Sequence, residues 1–247
     1  MGVAGLVLAG VLAGSGVAGA ALARSGGKDG AGWNPDPTAD VQAPVIPDNV
    51  SVATAQNWLA GALQLRAQEL SSLQGDVNNA TSLPDAVRAS LDADLTTAAA
   101  GMARLTTSVE KDTTLAALRS DAATMVLTYH VFSVVEPQVH LTVVAEHQLA
   151  VASQIGRLQP GLETAIKAEG SRTSGTLHGL DVTLSSDLAT VQSNANGVVS
   201  DLSTVGPTDY LDAAGVVVAD TKVVTGDWST VADARATIGK ILSLLAG

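Results

Sequence analysis

The chain has 247 residues, 46% hydrophobic but only 2% aromatic, and carries a formal net charge of −11. Its thirteen Lys and Arg residues are scattered singly, so it lacks the clustered cations that nucleic-acid phosphates or an anionic bilayer surface require. The lack of cysteine excludes disulfides, thiolate metal sites, a cysteine nucleophile and a lipid-modified cysteine, while the shortage of Phe, Tyr and Trp favours helices filled by Ala, Leu and Val over a sandwich or barrel.

Residues 1–23 run from Met1 to Ala23 without a charged side chain and end in Ala21, Leu22 and Ala23. That small-x-small ending predicts a signal peptide, although no basic residue precedes the apolar run. Its length also suits a retained N-terminal anchor, with Gly10 and Gly14 giving a small helix-packing face. Gly14 to Gly19, GSGVAG, matches the dinucleotide fingerprint, but that motif needs a strand before it and a βαβ unit after it. The residues downstream are instead rich in Gly and Pro, so nucleotide binding is set aside. Residues 24–50 hold half of the eight prolines and read as an extended linker.

From residue 51 to 247 the sequence predicts one helical domain of five helices, because apolar residues recur at alternating steps of four and three. The first series is Leu59, Leu63, Arg66 in an apolar slot, Leu70, Leu73 and Val77. Ser82 and Asp85 then read as a capping box around Pro84, opening a helix with Leu91, Leu95, Ala98, Met102, Leu105 and Val109. Thr113 reads as the next N-cap. A long central helix is expected from about Thr114 to Ala168, with a kink at Pro137 and an early end at Pro160-Gly161. The fourth series runs Leu177, Leu184, Leu188, Val191, Ala195, Val198, Leu202, Val205; the last, Val224, Trp228, Val231, Arg235, Ile238, Leu242, Leu245. Short connections imply antiparallel neighbours. The expected fold class is all-α: an elongated antiparallel helical bundle, with coiled-coil hairpins around the long central helix.

Thr128 to His147 holds three of the four histidines and the only phenylalanine. Its β-branched runs on either side of Glu136-Pro137-Gln138 would also fit a hairpin, but the 4-3 series crosses the stretch without a phase jump, which favours helix. The segment is then apolar nearly all round, as for a helix enclosed by others. Glu136 and His140 are one turn apart and His147 is two turns further, so these three are candidate metal ligands. Against a metal, the paired Glu-x-x-His signature of di-iron bundles is absent. The preferred reading is a structural polar cluster of Tyr129, Glu136 and His140 that fixes helix register. With no nucleophile elbow and no catalytic pocket motif, no catalytic residue and no cofactor is expected.

The stretch LAALRSDAATMVLTYHVFSVVEPQVHLTVVAEH, Leu115 to His147, resembles a family of secreted helical, coiled-coil-like proteins of actinobacteria and related bacteria, for which no activity is established. The family pattern is a leucine-rich lead-in with aspartates, then Tyr-Arg-Val-aromatic, Pro-x-Val/Thr-His and Ala-Ala-Asp-Arg. Asp112, Leu115, Leu118, Asp121, Tyr129, Val131, Phe132, Pro137, Val139 and His140 fall on matching positions. Thr208 to Asp220 and Asp233 to Leu242 are similar to its closing helix. His130 departs from the usual Arg, and Glu146-His147 from Asp-Arg. The resemblance implies secretion and helical structure and leaves activity open.

The expectation from sequence is therefore an exported, non-enzymatic protein with a structural or partner-binding role at the cell envelope. Its partner would be a protein or envelope component or a second copy, with membrane contact only through an uncleaved residue 1–23 segment. The alternative is a ligand- or metal-binding bundle using the Glu/His stripe.

Overall fold

The computed structural model describes residues 45–169, 174–206 and 210–246. These residues are all-α, with no strand among them, so the hairpin alternative for the central stretch does not form. The expectations for residues 1–23, and for the linker up to residue 44, lie outside the described residues. Among the described residues seven α-helices occur in order: α1 (Val52–Asn79), α2 (Asp85–Lys111), α3 (Leu115–Leu127), α4 (Glu136–Gly156), α5 (Gln159–Ala168), α6 (Ser174–Leu202) and α7 (Tyr210–Leu245). A π-helical turn, Val131–Val135, joins α3 to α4. The segment expected as one central helix is thus α3, the π turn, α4 and α5 in succession.

The described residues group into two compact units. One contains residues 45–143, 201–206 and 210–221; the other contains 144–169, 174–200 and 222–246.

In the first unit α1 packs along α2, and both meet α3 and the π turn. The 4-3 seams explain the packing. Leu59, Leu63, Leu70, Leu73 and Val77 of α1 are buried, as are Leu91, Leu95, Ala98, Met102, Leu105 and Val109 of α2. Each buried Leu or Val removes apolar area worth about 1.5–3 kcal/mol relative to exposure. The hairpin is antiparallel, and its ends cap each other. Gln56, near the start of α1, donates to the carbonyls of Val109 and Asp112 at 3.0 and 2.9 Å, at the end of α2. Arg88, near the start of α2, donates to the carbonyls of Val77 and Ala80 at the end of α1. Those are carbonyls that a helix C-terminus leaves without intrahelical donors.

Local starts differ from expectation by small steps. Pro84 is the N-cap of α2 and no side chain caps that end, so the Ser82–Asp85 box does not form. The N-cap of α3 is Thr114, not Thr113; its hydroxyl accepts from the Ala117 amide at 3.2 Å. The end of the expected linker belongs to the fold. Ile46 is buried, and its carbonyl accepts from Arg119 Nε and Nη2 at 2.9 and 2.7 Å.

The central segment breaks upstream of Pro137. His130 adopts a left-handed conformation with φ 41° and ψ 44°, and the π turn comes directly after it. A proline ring clashes with the carbonyl four residues earlier and offers no amide to it. For Pro137 that carbonyl is Ser133, inside the π turn, where the Glu136 amide bonds back to Val131. The widened turn lets α4 begin around the proline, so the disturbance falls on the residues before it.

In the second unit the seam residues Leu177, Leu184, Leu188 and Val191 of α6 face a core shared with Val151, Ala152 and Ile155 of α4 and Leu162 and Ile166 of α5. The seam of α7 is corrected by one position. Val224, Asp227, Val231, Ala234, Ile238 and Ile241 are buried, while Trp228, Arg235 and Leu242 lie half-buried on its flank. Sequence periodicity missed this because Asp227 and Ala234 look like poor seam residues beside Trp228 and Leu242. Asp227 is accommodated by Asn194 of α6, whose amide donates to its carboxylate at 2.8 Å.

Candidate functional site

Every residue from Pro137 to Glu146 is buried, including Gln138, His140, Thr142 and Glu146. The enclosure expected of a helix apolar on all sides is therefore present, and polar residues within it have specific tasks. Gln138 donates to the carbonyls of Leu202 and Val205 at 3.0 and 3.2 Å, capping the end of α6. Gln148, further along α4, donates to the Val224 carbonyl of α7 at 2.8 Å. An amide buried against a helix carbonyl is a directional contact that apolar packing does not supply.

One polar layer of the first unit gathers side chains that can act chemically. Glu136 opens α4, and His140 lies one turn later, placing its Nε2 4.0 Å from Glu136 Oε1. Glu69 of α1 joins them: one ligand atom from each of Glu69, Glu136 and His140 lies within 4.8 Å of the others. Both glutamates are half-buried, and His140 is 8% exposed. Burial holds the His140 imidazole below its ordinary pKa, opposed by the Asp76 carboxylate of α1. The imidazole is therefore neutral near pH 7 and keeps one ring nitrogen as a lone-pair donor. Arg66 of α1, in the same unit, is buried, with its guanidinium carbon 4.9 Å from the centroid of the Phe132 ring. That stacking explains how a cation sits in an apolar seam.

Glu136 and His140 come together. Tyr129 lies against α2, where its ring occupies the space a side chain at Gly101 would need. His147 belongs to the second unit, half-buried against Trp228, with ring centroids 5.7 Å apart and planes at 44°. Burial, then the Arg235 charge, lowers its pKa. Among the described residues, the group of three ligand side chains contains Glu69 in the place sequence reasoning gave His147. Glu69 was missed because it flanks the α1 seam and is an ordinary surface residue by pattern. The available signal was Arg66, a charge in an apolar slot three residues before Glu69.

His130 is buried and its Nδ1 lies 3.3 Å from Ser133 Oγ across the π turn. His178 is exposed on α6. Among the described residues no helix is long and apolar enough to cross a membrane. Comparison with protein-family profiles, with curated proteins and with solved structures gives no match for this chain.

Proposed function

We propose that the chain is an exported, non-enzymatic helical protein with a structural or partner-binding role at the cell envelope. The observation that carries the structural part of this reading is the burial of residues 137–146. That stretch includes His140 and Gln138, and Gln138 together with Gln148 just beyond it bonds to carbonyls of neighbouring helices. A catalytic acid–base pair needs access to substrate, and the burial of these groups supports a role in packing and register instead.

Two features of the sequence support export. The uncharged run from Met1 to Ala23 ends in a small-x-small pattern, and a Pro-rich stretch comes after it. The resemblance to secreted helical proteins points the same way. A partner-binding surface is supported by Trp58 and Leu65, seven residues apart on α1 and 54% and 61% exposed. Fusing residues 1–50 to an alkaline phosphatase that folds only under oxidising conditions tests export. Activity in whole bacteria that disappears when residues 1–23 are deleted is the expected result. An inactive, stable fusion with the segment intact would overturn the proposal.

A further inference from the structure

We infer that Glu69, Glu136 and His140 form a binding site for one first-row divalent metal ion of the zinc class, clamping α1 to the first turn of α4. The inference stands on the geometry of the first unit and is independent of export. Two helices distant in sequence bring two carboxylates and an imidazole together, with one ligand atom of each inside a 4.8 Å span. The imidazole is more than nine-tenths buried, so its ring is held in place by the surrounding side chains.

Distances decide whether the set fits an ion. Metal–ligand bonds to His nitrogen and carboxylate oxygen are about 2.0–2.2 Å, so neighbouring ligand atoms on one ion sit about 3.0–3.5 Å apart. His140 Nε2 and Glu136 Oε1 are 4.0 Å apart, too far for a hydrogen bond between them and within a small side-chain rotation of shared coordination. The donors also select the ion. Calcium and magnesium take all-oxygen shells, whereas one imidazole with two carboxylates suits zinc, manganese or ferrous iron. Electrostatics favour a cation as well. Glu69 and Glu136 each bring a carboxylate beside His140, a negative environment that attracts a cation. Three protein ligands leave at least one coordination position for water or for a group brought by a partner.

The test uses the full chain, stripped with a chelator and then equilibrated with zinc chloride or cobalt chloride alone. The expected result is one zinc per chain with a micromolar or tighter Kd. Outer partners of metal ligands already change affinity by about 10–100-fold, so Glu69→Gln and His140→Gln should each weaken binding by at least about tenfold. His147→Gln and His178→Gln should leave it unchanged. Cobalt should give visible absorption bands that Glu69→Gln and His140→Gln remove while the far-UV helical spectrum persists. Should His140→Gln fail to fold, Glu69→Gln decides alone. No stoichiometric binding, equal binding by Glu69→Gln, or loss of binding in His147→Gln or His178→Gln would each overturn the assignment.

Discussion

Gly101→Ala puts two opposing effects on one atom. A methyl group at this buried position of α2 would overlap the Tyr129 ring, whereas one at Gly61 of α1 has nothing within 4 Å. In a helix interior Ala is favoured over Gly by about 1 kcal/mol, and at Gly61 that effect acts nearly alone. At Gly101 the overlap involves the body of an aromatic ring packed on the first core, and forcing such a contact apart costs about 1–3 kcal/mol. The ring has no flexible tip to swing away, so the upper half of that range applies. Gly101→Ala should therefore destabilise by about 1–2 kcal/mol, while Gly61→Ala stabilises by about 0.5–1 kcal/mol. Urea unfolding midpoints at constant slope measure both. In a Tyr129→Leu background Gly101→Ala should become neutral or stabilising, since the obstructing ring is gone, and a double-mutant cycle isolates that coupling. If Gly101→Ala stabilises the Tyr129 chain as much as Gly61→Ala does, the close approach of ring and helix is refuted as a source of strain.

Three further outcomes are expected. Burial, then the neighbouring Asp201 charge, pushes the Asp220 carboxyl up from 3.8 to about 6. The folded state therefore holds this proton more tightly, and stability falls as pH rises through that window, by at most about 3 kcal/mol and less where water enters. Asp220→Asn should remove the fall and raise stability at pH 7 by about 1–2 kcal/mol; a difference between the two proteins that stays constant from pH 4 to 7 would contradict the assignment. Gln138→Leu leaves the Leu202 and Val205 carbonyls without their amide donor and should cost about 1–3 kcal/mol in thermal or chemical unfolding. Leu184→Ala, at a fully buried α6 position, should cost about 2–5 kcal/mol, while Leu65→Ala, 61% exposed on α1, should change stability by less than about 0.5 kcal/mol.

Repetition made the helices legible in the sequence. The seams of α1, α2 and α6 keep to the 4-3 pattern residue for residue, because Leu and Val at those steps have no other way to leave water. In α7 the pattern weakened where Asp227 and Ala234 entered the seam. Asp220 and Asp227 are buried in α7, and only the partner Asn194 on another helix reveals why Asp227 is tolerated there. The break at His130 was invisible for a different reason. Pro137 announced a disturbance, but its location depends on which upstream turn can widen, and Ser133 lies inside the turn that does. At the candidate site, Glu136 and His140 were legible because they lie one turn apart on one helix. Their assembly with Glu69, and the separate fate of His147 beside Trp228, depend on contacts between distant segments. Capping by Gln56, Arg88 and Gln138 was hidden likewise, since no local motif ties a glutamine or arginine to another helix's end.

The proposed role rests most heavily on export, and the most direct measurement is the intact mass of the native protein together with the cell fraction that contains it. A chain beginning at Arg24 in the culture medium, or a full-length chain in the membrane fraction with its helices accessible to external protease, is the predicted result. A full-length chain in the cytoplasmic fraction, protected from external protease, would contradict it.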